Sequence, residues 1–140
     1  MSETAIAEPA TRAKATGLAR TTRINAILIA VVTLAQPVWI GLLFTGSVFG
    51  AVAHGIGAGA LVLLSLIHLV LSIVRSRGRG KSEVWGNLAF IGLIVAQSLL
   101  GVFQLYPLHF PVGVLMAIGS VHLVQATNKE VRDAGTEAKA

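Results

Sequence analysis

The chain has 140 residues, of which 54% are hydrophobic and only 12% charged, with no cysteine and a net charge of +5. This balance excludes an ordinary soluble domain, in which about a quarter of the residues are charged. The absence of cysteine excludes disulfides and thiolate metal sites.

Residues 1–22 are expected to form a polar N-terminal tail, disordered or loosely helical, with Pro9 and Gly17 and no apolar core of a secretory signal. Between Ile24 and Val74, and again between Val84 and Asn128, no Asp, Glu, Lys or Arg occurs. Each stretch is long enough for two membrane spans of about 20 apolar residues. The first helix is expected over Ile24–Phe44, with a kink at Pro37, and the turn Thr45-Gly46-Ser47 leads into a second over Val48–Val74. The basic segment Ser76–Glu83 connects to a third helix over Val84–Leu105, with Trp85 at the interface. A turn with Tyr106 and Pro107 precedes a fourth helix ending near Thr127, and residues 129–140 form a polar C-terminal tail.

All eleven basic residues fall before the first helix, between the second and third, or after the fourth. With four spans they lie on one side of the membrane, which the positive-inside rule makes the cytoplasm. Their placement therefore reads as topology, with contact to anionic lipid as a second use, and nucleic acid is not an expected partner. The expected fold is all-α: residues 23–128 as a transmembrane four-helix bundle in the plasma membrane, both termini cytoplasmic, helices two and four parallel.

The halves carry a faint repeat. Ala35-Gln36 recurs as Ala96-Gln97, and His68-Leu69-Val70 recurs as His122-Leu123-Val124. Gln36 and Gln97 fall near mid-membrane, where hydrogen bonding between helices, or orientation of a ligand imidazole, is their expected use.

The chain's four histidines, His54, His68, His109 and His122, all sit in or at the mouth of these apolar stretches. An ionisable side chain there points to function. Fourteen residues return a helix to within about 40° of its starting face after roughly 21 Å of rise, so His54 and His68 look the same way at two depths. His109 and His122 occupy matching depths on the parallel fourth helix. Cross-bundle pairing gives an outer site, His54 with His109, and an inner site, His68 with His122. Two facing imidazoles suit the axial positions of a six-coordinate haem iron, held without covalent attachment since no cysteine is present. Two b-type haems are expected, with one as the smaller alternative.

Thirteen residues rotate a straight helix to about 140° from its starting face, so His109 and His122 share a face only if Pro107 and Pro111 set His109 apart from the regular helix. The inner pair is accordingly the firmer expectation. Arg75 and Lys129, each seven residues past an inner histidine, either meet haem propionates or simply mark cytoplasmic helix ends. Gly55, Gly57, Gly59, Gly113 and Gly119 either admit a flat macrocycle or pack helices closely.

Two histidine-bearing helices in a bundle of four resemble the haem-binding core of membrane b-type cytochromes. The arrangement also resembles one half of haem A synthase, whose ligand histidines lie on the second and fourth helices of each unit; its glutamate-containing motif is here Ala53-His54-Gly55. The resemblance implies transmembrane electron transfer through bis-histidine haems, a redox protein or quinone as partner, and a homodimer. The other readings are a haem-free accessory membrane subunit and a haem-modifying protein.

Overall fold

The structure is a computed structural model. It describes the backbone of residues 4–76 and 82–137 and the side chains of residues 17–76, 82–129, 131 and 132. Four helices account for nearly all of this: α1 (Thr4–Phe44), α2 (Val48–Ser76), α3 (Ser82–Val102) and α4 (Tyr106–Glu137). All four are long and apolar enough to cross a membrane, with candidate spans at Gly17–Phe44, Val48–Ser76, Ser82–Val102 and Tyr106–Lys129. The chain is a multi-pass membrane protein folded as a four-helix bundle.

Two helices run beyond the expected spans. Helix α1 starts at Thr4, so most of the expected N-terminal tail continues the first span as helical backbone, and α4 runs on to Glu137. Both extensions are rich in alanine and straight-chain charged residues, which are good helix formers. The basic residues Arg77, Arg79 and Lys81 of the α2–α3 connection lie outside the described residues.

The helices form a ring in which α1 packs against α2 and α4, and α3 against the same two, so α2 and α4 face each other across a diagonal. Side-chain contacts set the register within each hairpin. Along α1 and α2, Asn25 meets Leu64 and His68, while a Cβ at Gly57 would strike Gln36 and Trp39 and one at Gly50 would strike the backbone of Trp39 to Leu43. Along α3 and α4, Phe90 meets Gly119, Gln97 meets Gly113, and Gly101 meets His109. Both hairpins are therefore antiparallel, and in each a glutamine of the first helix fills the space left by a glycine of the second.

The same local motif closes both hairpins. Gly46 N–H donates to Leu43 O and Ser47 N–H to Leu42 O; Gln104 N–H donates to Gly101 O and Leu105 N–H to Leu100 O. These paired bonds satisfy the last carbonyls of α1 and α3 and require a left-handed residue after each helix. Gly46 supplies it at φ 84°, while Gln104 adopts φ 56° with a side chain in place.

The bundle is polar inside and apolar outside. Thr22, Asn25, Thr33, Ser65, His68, Ser72, Asn87, Ser120 and Thr127 are buried, while large apolar residues such as Val31, Phe44, Val48, Ile56 and Ile118 are exposed. This suits a hydrocarbon solvent, in which apolar side chains gain nothing by leaving the surface and association rests on close packing and interhelical hydrogen bonds. One apolar layer crosses the interior, formed by Ile29, Leu61, Phe90, Ile94 and Met116.

Because a left-handed backbone costs a non-glycine residue about 1 kcal/mol, Gln104→Gly is expected to stabilise the protein by about that amount. Thermal unfolding in detergent should show a higher melting temperature; no change or a lower one would mean that Gln104 is not strained.

Candidate functional site

Helix α4 decides which histidines meet. Leu105 accepts from both Leu108 N–H and His109 N–H, so the helix begins at Tyr106 and Pro107 stands in its first turn, where a missing N–H is harmless. The helix continues through Pro111. His109 therefore belongs to the same regular helix as His122, and thirteen residues leave them on different faces, about 140° apart. His109 is buried, and His122 is exposed on the outside of the bundle. On α2, the fourteen-residue spacing keeps both histidines inward, with His54 half-buried and His68 buried.

The outer pair is brought together. The rings of His54 and His109 reach across the α2–α4 diagonal with centres 6.3 Å apart and planes inclined at 58°. Two imidazoles bound to one metal ion at about 2.0–2.1 Å each have ring centres roughly 6 Å apart. His109 Nδ1 lies 3.0 Å from Gln97 O. A carbonyl can only accept, so Nδ1 carries the ring proton and Nε2 keeps its lone pair in the neutral imidazole. Glycine at position 101 makes this seat, since a Cβ there would stand 3.1 Å from His109 Cε1. His54 faces the corresponding carbonyl of Gln36, although its buried Nδ1 closes no hydrogen bond. Each half thus sets one histidine against the backbone carbonyl of its repeated glutamine.

His68 and His122 are not brought together, and His68 is engaged differently. Asn25 Nδ2 donates to Leu64 O at 3.0 Å and lies 3.2 Å from His68 Nδ1. Leu64 O fixes which end of the amide is the nitrogen, because the reversed amide would set two acceptors against each other. His68 Nδ1 must therefore accept, and the ring proton sits on Nε2. One ring nitrogen is occupied and the other protonated, so His68 presents no lone pair to a metal.

The other anticipated residues fall as follows. Arg75 Nη2 lies 3.9 Å from Glu83 Oε2 on α3, which ties it to the α2–α3 end of the bundle. Lys129 is exposed. Gly57, Gly113 and Gly119 are filled by Gln36 with Trp39, by Gln97 and by Phe90, while Gly55 and Gly59 are exposed with nothing near. Gly57, Gly113 and Gly119 thus serve helix packing, the second of the two uses read from the sequence, and Gly55 and Gly59 pack against no neighbour. Asn25 and Asn87, both buried, were not among the candidates; an asparagine in a charge-free apolar run was the available signal.

Polar atoms near the outer pair lack partners. Gln36 Oε1 and Nε2, Gln97 Oε1 and His54 Nδ1 are buried without a hydrogen bond. Among the described residues no group of three or more His, Cys, Asp or Glu gathers in metal-binding range. A metal between His54 and His109 would thus have to bring donors of its own. No protein-family model matches the chain, and neither does any curated protein or solved structure.

Replacing Gly57 with leucine should cost on the order of 3 kcal/mol, because Gln36 and Trp39 already occupy the space. Gly59→Leu, on the open face, should be close to neutral. Unfolding of both variants in detergent checks this, and equal effects would refute the packing assignment.

Proposed function

We propose that the chain is a b-type membrane cytochrome that holds one haem between His54 and His109. The observation that carries this reading is the separation of 6.3 Å between the two imidazoles, reached from diagonal helices. His54 and His109 would hold the haem iron, and the lack of cysteine would leave coordination and packing to retain the group. A haem held by two histidines would supply one-electron transfer.

The residues around the pair have definite tasks. The Gln97 carbonyl fixes the His109 tautomer and ring direction and raises the basicity of Nε2, as partners of ligand histidines do. The Gln36 carbonyl stands ready to do the same for His54. Gln36 Nε2 is an unused donor available to a carboxylate of the bound group.

The distribution of basic residues supports an orientation. Among the described residues Arg20, Arg23, Arg75 and Lys129 lie at the bundle end remote from the Gly46 and Gln104 turns, which the positive-inside rule assigns to the cytoplasm. Helices α2 and α4 then run parallel, from outside to inside, in a plasma membrane. The haem lies toward the outer surface, where a redox protein or a quinone headgroup would exchange electrons with it.

A second haem between His68 and His122 is not part of this proposal. It would need His122 to turn inward and Asn25 to release His68. For His68 the bond to Asn25 supports a role in joining α1 to α2.

Protein purified from haem-replete cells should show the reducible visible spectrum of low-spin haem b at one haem per chain. His54→Ala and His109→Ala should each abolish that spectrum, while His122→Ala leaves it intact. A colourless, stably folded protein would overturn the proposal. Two haems per chain, one of them lost on replacing His122, would overturn the assignment to a single site.

A further inference from the structure

The half of the bundle that carries His68 holds more polar residues than the proposed haem site uses. Most satisfy themselves. Thr22 donates to Leu18 O, Ser72 to His68 O, Ser120 to Ala117 O, and Thr127 to Leu123 O and Val124 O. Two wholly buried side chains are left out. Asn87 is wholly buried, and neither Nδ2 nor Oδ1 has a partner. Ser65 is also wholly buried, and its Oγ does not take the bond to its own helix that its neighbours take. An unpaired buried polar group is destabilising, and hydrocarbon offers it no alternative partner. Three unsatisfied atoms on two side chains therefore point to something bound.

The register brings these groups to one level. His54 meets His109 across α2 and α4, while Gly101, Gln97 and Phe90 of α3 meet His109, Gly113 and Gly119 of α4. Counted from these contacts, Asn87 comes near the level of His68, with Ser65 one turn away. On the other side lies the apolar layer, in which Leu61 is one turn beyond Ser65 and Phe90 one turn beyond Asn87. His68 has its Nδ1 taken by Asn25, so Nε2–H is the donor it has left to offer.

We propose that Asn87, Ser65 and His68 line an internal water site between the apolar layer and the Arg75–Glu83 pair. The site offers the two to four polar partners that a buried water needs: the Asn87 amide at both ends, the Ser65 hydroxyl and the His68 Nε2–H. Water bound there keeps the His68 ring in hydrogen-bonded contact with the bundle end that carries Arg75. Ile29, Leu61, Phe90, Ile94 and Met116 close the route toward the other end. The inference is independent of any haem at His54 and His109.

Water-edited solid-state NMR of the full chain in lipid bilayers, with 15N-labelled histidine, asparagine and phenylalanine, tests it. Magnetisation from water should reach the Asn87 side-chain amide and the His68 Nε2 several-fold faster than the Phe90 backbone amide in the dry layer. In Asn87→Leu, transfer to His68 should fall toward the Phe90 rate while the helix content is kept. Slow transfer to Asn87 in the unaltered protein, or transfer to His68 unchanged in Asn87→Leu, would overturn the proposal. If Asn87→Leu does not fold, the Asn87 amide in the unaltered protein decides alone.

Discussion

The constraint on which the rest depends is the rotation of α4, about 100° for every residue. Once the left-handed turn at Gln104 has started the helix at Tyr106, the directions of all later side chains are fixed. His109 in the first turn faces inward, and His122 thirteen residues on cannot. Helix α2 obeys the same rule with fourteen residues and keeps both histidines inside. One residue of difference in spacing thus separates a pair that meets from a pair that does not.

The interior follows from the solvent. In hydrocarbon a polar side chain gains by facing inward, and buried hydroxyls here largely return to their own helix carbonyls. Buried polar groups without such a bond include Gln36, His54 and Gln97 on one side of the apolar layer and Ser65 and Asn87 on the other. The hairpin repeat organises the first set, with each glutamine lodged against a glycine and offering its carbonyl toward a histidine. The second hairpin is tighter: Gln97 precedes its turn residue by seven positions, where Gln36 precedes Gly46 by ten.

Much of this was legible in the sequence. The uninterrupted apolar runs gave four spans, and the repeated Ala-Gln pair led to residues that occupy matching places in the two hairpins. The shared face of His54 and His68 followed from spacing alone. The choice between histidine pairs turned on whether Pro107 and Pro111 set His109 apart from α4, and they do not: Pro107 is tolerated in the first turn, and the helix passes through Pro111. Sequence favoured the inner pair, while the geometry assembles the outer one. The partner of His68 was not legible, because it depends on which face of α1 the other helices cover. Asn25 and Asn87 look alike in the sequence, yet one closes two contacts and the other none.

The central claim is that His109 is held ready to bind a metal and His68 is not. The most direct measurement is the 15N NMR spectrum of ring nitrogens in haem-free protein in bilayers, with the histidines assigned, at a pH where both are neutral. The account predicts opposite tautomers: His109 protonated at Nδ1 with Nε2 free, and His68 protonated at Nε2 with Nδ1 accepting from Asn25. The reverse assignment, or the same tautomer at both, would contradict it.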